Sequence, residues 1–145
     1  MGDAETIINL AEHEAAVAAF LVEHNGRLAR DPDDRAIYWL DLRPRSAPDE
    51  RFYPRIVWRS YPHAAPSVAF ADGIRGMTES IHAWPQIAGY RAPVDICKPF
   101  TAEGFALHPE WNKGPDAWPT DGNPFLWIVE TLQYDLDHGY NGRAG

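Results

Sequence analysis

The chain's only cysteine, Cys97, lies in a stretch that carries several other side chains able to take part in catalysis. His108 follows eleven positions later, and Asn112 ends the same stretch. A single thiol with a histidine further along the chain is a candidate nucleophile, because a thiolate attacks acyl carbonyls and a histidine can move the protons involved. The alternative is that Cys97 is a small buried residue of the core, as free cysteines often are.

Further polar residues near the cysteine are candidates for supporting roles. Lys98 could favour the thiolate electrostatically, since a neighbouring positive charge stabilises the anion. An acid nearby could position or deprotonate an incoming amine, and a second histidine could approach the thiol. Each of these residues can equally be a solvated loop side chain. The remaining candidates are Asp95, Glu110, Asp116, His63 and His82.

Length and charge limit the classes of function. A chain of 145 residues is expected to form a single domain, residues 1–145, with one core. The net charge of −8, without a basic block, argues against nucleic acid or an anionic membrane as the main partner. One cysteine excludes a disulfide framework and a cysteine-rich zinc site, and we expect neither a metal nor a cofactor. With no long apolar run and no secretory signal, a cytoplasmic location is expected.

The N-terminal part of the chain predicts a helix from Asp3 to about His24. Apolar residues recur there at spacings of three and four, and alanine, the best helix former, is frequent. Asn25-Gly26 then supplies a stop, because these residue types adopt the left-handed conformation that ends helices.

Two β-rich segments, 36–42 and 52–58, follow at a spacing that predicts an antiparallel hairpin. Pro54 has no N–H to donate, so it favours an edge position or a bulge for the second strand. A rigid, proline-rich turn leads into a third short strand, Val68 to Phe70.

The rest of the chain is predicted to be irregular up to a last helix. Residues 71–90 form a long loop that leads to the cysteine, and the chain stays irregular afterwards to Gly122. Asn123 and Pro124 then have the residue types of an N-cap and a first helical position, and the apolar stripe that follows ends at Gly139. The order of elements predicts an α+β fold.

Three short motifs in this order resemble the ubiquitin-conjugating enzyme (E2) family and its bacterial relatives. Tyr61-Pro62-x-x-x-Pro66, followed by Val68 and Phe70, is similar to the family's Tyr-Pro-x-x-Pro-Pro-x-Val-x-Phe segment. Asp95-Ile96-Cys97 lies where the family has its active-site cysteine. Trp118-Pro119, before an amphipathic helix, resembles the family's Trp-Ser-Pro.

The resemblance implies a UBC-like fold with an N-terminal helix, an antiparallel meander sheet, a long active-site loop and a C-terminal helix. It implies that Cys97 receives a ubiquitin-like modifier as a thioester from an E1-like activating enzyme and passes it to a target protein. The family's His-Pro-Asn tripeptide is missing, because residues 86–90 contain neither histidine nor asparagine. His108 or Asn112 is therefore predicted to replace the asparagine that stabilises the oxyanion.

Two other functions remain open from the residues alone. A non-catalytic E2-like binding module, of the UEV or RWD type, would only dock a ubiquitin-like partner, and the missing tripeptide favours it. A Cys-His hydrolase would use His108 as the general base for Cys97. The hydrolase lacks an evident oxyanion motif and an orienting residue in the sequence.

Overall fold

The computed structural model describes residues 3–145, which form a helix at each end of the chain around a four-stranded antiparallel sheet. The predicted α+β class, with an N-terminal helix, a meander sheet and a C-terminal helix, is confirmed. The elements in chain order are α1 (Ala4–Glu23), β1 (Arg27–Arg30), β2 (Ile37–Asp41), β3 (Tyr53–Val57), β4 (Ser67–Ala71), β5 (Tyr90–Arg91), β6 (Asp95–Ile96), α2 (Ala102–Leu107) and α3 (Pro124–His138), with short 3₁₀ turns at Ile81–Ala83 and Pro109–Lys113.

Both long helices begin with the side-chain caps that their sequences favour. Asp3 accepts a hydrogen bond from the Thr6 N–H at 2.8 Å, and Asn123 accepts one from the Leu126 N–H at 2.9 Å. A capping side chain satisfies a backbone donor that the first helical turn leaves without a partner. The predicted start of α3, with Pro124 as its first residue, is confirmed. None of the helices within residues 3–145 combines the length and apolar character that crossing a membrane requires.

The sheet is a meander with the order β1-β2-β3-β4. The predicted pairing of the two β-rich segments is confirmed as β2 with β3, and the third predicted strand is β4. β1 is an additional edge strand that the sequence analysis missed. Its four residues include two arginines and only one large apolar side chain, Leu28, so no alternating pattern marks them as a strand.

Pro54 was expected to favour either an edge position or a bulge, and the edge position is wrong, because β3 lies between β2 and β4. The ladder between β2 and β3 stops at Arg55, and an isolated bridge between Leu42 and Phe52 resumes it. Pro54 lies in this gap and has no N–H to donate. The sheet therefore tolerates a central proline by interrupting the pairing on one side, while Pro54 still faces Phe70 of β4.

Aromatic side chains dominate the core between the sheet and α3. Tyr38 on β2 meets Phe125 on α3 edge to face, with ring centroids 4.8 Å apart, and Trp58 meets the same ring at 5.5 Å. Such pairs add roughly 0.5–1.5 kcal/mol beyond the burial of their surface. The largest fully buried side chains are Trp58, Trp84, Tyr38, Tyr61, Phe52, Phe70 and Phe125.

The hydroxyl of Tyr61, in the proline-rich turn, joins the two long helices. It accepts a hydrogen bond from the buried Phe125 N–H at 3.0 Å and lies 2.6 Å from His13 Nδ1 on α1. The Tyr61 N–H donates to Thr6 Oγ1 at 3.1 Å, which adds a second link to α1. Burial raises the pKa of Tyr61 to about 12, so the hydroxyl keeps its proton at neutral pH. One side chain therefore fixes the turn and the start of α3 against α1.

Further parts of the chain are more structured than the sequence suggests. Residues 102–107, predicted to be irregular, form α2, whose first turn is capped when Thr101 Oγ1 accepts the Gly104 N–H at 2.9 Å. Gly104 lowers the helix propensity of this segment, so the sequence does not indicate a helix. The position needs glycine, because a Cβ there would collide with the Lys98 carbonyl oxygen. The C-terminal tail also pairs with the core, because the Gln86 N–H donates to the Gly142 carbonyl at 2.7 Å.

We predict that Tyr61→Phe lowers the free energy of unfolding by about 1–3 kcal/mol, because it leaves the buried Phe125 N–H without an acceptor. Tyr134→Phe is the matched control, since Tyr134 is 61% exposed on α3. Chemical denaturation followed by tryptophan fluorescence measures both variants. Equal stability of the two variants would show that the Tyr61 hydroxyl does not hold the helices together.

Candidate active site around Cys97

Cys97 directly follows a small β-hairpin made of β5 and β6. Its tight turn includes a cis bond between Ala92 and Pro93, and the Val94 N–H donates to the Arg91 carbonyl at 2.7 Å. The Cys97 N–H donates to the Gly89 carbonyl at 2.8 Å, which extends the pairing by one residue on each side. The cysteine is therefore fixed by its own backbone at the base of the hairpin. The paired residues are Tyr90 with Ile96 and Arg91 with Asp95.

The two faces of the hairpin differ in polarity. Tyr90 and Ile96 are buried, at 8% and 0% exposure, so this face turns towards the core. Because side chains alternate along a strand, Arg91, Asp95 and Cys97 lie on the opposite face. Cys97 is partly exposed there. The alternative of a cysteine buried in the core does not agree with this exposure.

Asp135 of α3 anchors the inner side of the hairpin. The Tyr90 hydroxyl donates to its Oδ2 at 2.8 Å, and Lys98 Nζ lies 4.0 Å from the same oxygen. Burial, and then the negative charge of Asp135, raise the pKa of Tyr90 well above its usual value, so the hydroxyl remains a donor. Lys98, predicted to favour the thiolate, thus shares its positive charge with a carboxylate on α3.

The position of Gly89, opposite Cys97, requires glycine because of its backbone conformation and because of a close neighbouring side chain. Its φ of 87° lies in the left-handed region that glycine adopts without strain. A Cβ at this position would lie 2.8 Å from Lys98 Cε, so a side chain would push Lys98 away from Asp135. The absence of a side chain leaves space for the Lys98 stem beside the thiol.

Arg91 and Asp95 form the most closely paired ionic contact at the site. Arg91 Nε donates to Asp95 Oδ1 at 2.7 Å, and Nη2 donates to Oδ2 at 2.6 Å. The Arg91 side chain is 52% exposed and that of Asp95 only 13%. The pKa of Arg91 is raised, first by its hydrogen bonds and charge attraction to Asp95 and more weakly by negative charge on Cys97. Arg91 was not among the candidates from the sequence.

His108 and Asn112 have their described contacts away from the thiol. His108 Nδ1 lies 3.0 Å from Glu110 Oε2, and its ring stacks on Trp111 with centroids 4.3 Å apart. Asn112 lines a separate cleft beside the proline-rich turn. Within residues 3–145, neither side chain makes a hydrogen bond or ring contact with Cys97. Their role in oxyanion stabilisation stays a prediction.

The other candidate side chains have contacts elsewhere or face solvent. His63 lies 3.5 Å from Glu5 of α1, and His82 lies 3.3 Å from the Ala144 carbonyl in the C-terminal tail. Asp116 is exposed on the loop before α3. Trp118 donates from Nε1 to the Pro62 carbonyl at 2.8 Å, so it attaches that loop to the proline-rich turn. Of the acids named from the sequence, Asp95 is the one on the cysteine's face of the hairpin.

The ionisable groups and the cleft near the hairpin bear on what the site can bind. Among residues 3–145, no three histidine, cysteine or acidic side chains are grouped so that they could hold a metal ion. An open cleft of about 400 Å³ borders the hairpin and is lined by Ala88, Tyr90 and Ala92. These residues alternate with Gly89 and Arg91, so the cleft lies behind the face that carries the thiol. The reacting groups are therefore on an open surface.

Comparisons of the chain with protein-family models, with curated proteins and with solved structures found no significant match. The chemistry of the site is accordingly inferred from its own side chains.

We predict that Gly89→Ala lowers the free energy of unfolding by about 1–3 kcal/mol, because alanine is strained at positive φ and displaces Lys98. Gly114→Ala is the control, since a Cβ there meets no atom within 4 Å and its φ is −143°. Denaturant unfolding, with the rate of Cys97 alkylation as a local probe, checks both variants. If Gly89→Ala behaves like Gly114→Ala, the hairpin geometry described for Gly89 is wrong.

Proposed function

We propose that this chain is an E2-like conjugating enzyme with a UBC-like fold, which carries a ubiquitin-like protein as a thioester on Cys97. The observation that carries the proposal is the position of Cys97, a partly exposed thiol fixed at the base of a hairpin and backed by α3. A protein-sized acyl group requires a thiol on an open surface, whereas a small-molecule substrate is usually bound in a concave pocket.

The order of elements supports the same proposal. A helix, a four-stranded meander, a cysteine segment and a closing helix follow one another in the order that the E2 resemblance implies. The motif residues also have structural roles that agree with it, because Tyr61 links α1 to α3 and Trp118 attaches the loop before α3 to the proline-rich turn. The partners would be an E1-like activating enzyme, a modifier and a target protein, all in the cytoplasm.

The first step is an exchange of thioesters. The Cys97 thiolate attacks the carbonyl carbon at the C-terminus of the modifier, which the activating enzyme has bound through its own cysteine at the expense of ATP. A new carbon–sulfur bond forms to Cys97, the old one breaks, and the activating enzyme's sulfur leaves as a thiolate. The acyl group keeps the reactivity of a thioester.

The second step moves the acyl group to an acceptor. An amine of the target attacks the Cys97 thioester, a tetrahedral oxyanion forms, and the carbon–sulfur bond then breaks to release the Cys97 thiolate. The attacking amine gives up a proton to solvent or to a nearby base. The product is an amide between modifier and target, and Cys97 is regenerated.

The outer face of α3 offers a surface for the carried protein. Trp127 is 37% exposed and Tyr134 is 61% exposed, and the two lie seven residues apart on one face of the helix. Asp135, the next residue, contacts the cysteine segment through Tyr90 and Lys98. Exposed aromatic residues are common in protein interfaces, so a modifier attached to Cys97 has an apolar surface close to its attachment point.

We predict that incubation with the cognate activating enzyme, its modifier and ATP produces an adduct on the wild-type chain that a thiol reductant removes. Cys97→Ala gives no adduct. Cys97→Ser gives an adduct that resists reduction, because serine forms an oxygen ester in place of the thioester. Non-reducing gel electrophoresis and intact mass measure all three chains.

Other outcomes point to the alternative functions. Binding of the modifier without any adduct would contradict the proposal and indicate a docking module. Cleavage of a small thioester or peptide substrate without ATP, dependent on Cys97, would indicate a hydrolase. An adduct that persists in Cys97→Ala would place the chemistry at another residue.

We predict that His108→Ala or Asn112→Ala leaves loading of Cys97 intact and slows its discharge to an amine, if the folded loop brings either side chain to the oxyanion. The loss of one oxyanion donor costs about two to three orders of magnitude in rate at enclosed sites. Single-turnover discharge from the preloaded chain measures the effect. Equal loss of loading and discharge would instead indicate misfolding or failed docking of a partner.

A further inference from the structure

Acyl transfer at Cys97 develops negative charge twice, first as the attacking thiolate and then as the tetrahedral oxyanion. Both charges require a hydrogen-bond donor or a positive charge close to the sulfur. Residues 86–90, where the E2 family has its asparagine, contain no asparagine, and the side chains of Gln86 and Tyr90 donate to Arg143 and Asp135. His108 and Asn112 make no hydrogen bond to the thiol within residues 3–145. The hairpin itself carries a further candidate donor, Arg91.

The strand register places Arg91 on the face of the thiol. Arg91 pairs with Asp95, and the Cys97 N–H bonds to the Gly89 carbonyl two residues further along the same ladder. Cys97 is thus the diagonal cross-strand neighbour of Arg91, and such neighbours are about 7–8 Å apart at Cα, within reach of a long side chain. Gly89, directly opposite Cys97, has no side chain, and the Lys98 stem lies where one would be.

Arg91 still has donors to offer after it binds Asp95. A guanidinium carries five N–H groups, and the two hydrogen bonds to Asp95 use one on Nε and one on Nη2. The other three N–H groups make no hydrogen bond to any residue in the described chain 3–145. A half-exposed guanidinium with unused donors, beside a thiol, can accept an anion without giving up its existing partner.

Asp95 fixes the direction in which those donors point. The two parallel hydrogen bonds, at 2.7 and 2.6 Å, hold the plane of the guanidinium against a carboxylate that is only 13% exposed. Lys98, the other cation beside Cys97, is directed to Asp135 at 4.0 Å. Of these two ion pairs, the strand register places the Arg91 pair on the face that carries the thiol.

We propose that Arg91 is a catalytic residue that stabilises the Cys97 thiolate and the oxyanion of acyl transfer, and that Asp95 is the residue that positions it. This inference rests on the proposed function for acyl transfer. It assigns to Arg91 the oxyanion stabilisation that the asparagine of the E2 family would supply. A donor held in place before the reaction stabilises the transition state without the cost of reorganisation.

The test uses a small acyl donor that requires no protein partner. Acetylglycine, supplied as its mercaptoethanesulfonate thioester, loads Cys97 when the thiolate attacks the carbonyl carbon and mercaptoethanesulfonate leaves as a thiolate. Free lysine then attacks the loaded thioester, and its ε-nitrogen loses a proton to solvent as Cys97 is released. Intact mass follows loading and discharge, and iodoacetamide alkylation at pH 7 separately reports the reactivity of Cys97.

We predict that Arg91→Met slows discharge at saturating lysine by about 10- to 100-fold, less than at an enclosed oxyanion site because Arg91 is half exposed. The lysine concentration for half-maximal rate stays unchanged, since Arg91 does not bind the acceptor. Alkylation slows by about two- to fivefold, because the variant lacks a charge that favours the thiolate. Arg91→Lys restores most of the alkylation rate and part of the discharge rate. Asp95→Asn slows discharge but does not slow alkylation, because it removes a negative charge from the face of the thiol.

Arg51→Met is the matched control. Arg51 is 50% exposed and lies 3.6 Å from Asp41, which is 7% exposed, so this pair resembles Arg91 with Asp95 but is remote from Cys97 in the chain. A discharge rate of Arg91→Met equal to that of Arg51→Met would overturn the oxyanion role. Unchanged alkylation would overturn the thiolate role, whether or not any acyl group is loaded. Failure of the cognate modifier to load, with the Arg91 effects intact, would contradict the proposed function alone.

Discussion

The Tyr61 hydroxyl is the contact on which the arrangement of the two long helices depends. It accepts the buried Phe125 N–H at 3.0 Å and lies 2.6 Å from His13 Nδ1, while the Tyr61 backbone bonds to Thr6. When both partners of a buried hydrogen bond are replaced by apolar groups, the free energy of unfolding changes little. When only one partner is removed, the other stays buried without a hydrogen bond, and the protein loses the full desolvation free energy of that group. The start of α3 therefore has one favourable position against α1 and the sheet.

The position of α3 in turn determines the position of the candidate site. Asp135, about three turns along α3 from Phe125, receives the Tyr90 hydroxyl and faces Lys98, so the hairpin is attached to the helix from its inner side. The outer side of the hairpin is left for Cys97 and the pair of Arg91 with Asp95. A thiol on such a surface is accessible to a protein, and its charge environment is set by rigid neighbours and not by a closed pocket.

Helices and central strands were predictable because their local signals are strong, as the caps at Asp3 and Asn123 illustrate. β1, α2 and the β5–β6 hairpin were missed because each is short, and Gly104 weakens the helical pattern of α2. Of the candidate site, Cys97, Asp95 and Lys98 were predictable from the sequence, and Arg91 was not. Arg91 has no signal of its own, although a proline turn between an arginine and an acid four residues later is a usable sign of a hairpin. Its relation to the thiol depends on strand register, which no spacing in the sequence reveals.

The central claim, that Cys97 carries a protein as an acyl group, is tested most directly on chain isolated from its own cells. The measurement is the intact mass of the wild-type chain and of Cys97→Ser, each purified without reductant. The account predicts that the wild-type chain carries a protein-sized adduct, which a thiol releases. It predicts that Cys97→Ser carries a stable adduct on the introduced hydroxyl, which mild base removes and a thiol does not. Unmodified chain in both samples, or an adduct mapped to any other position, would contradict it.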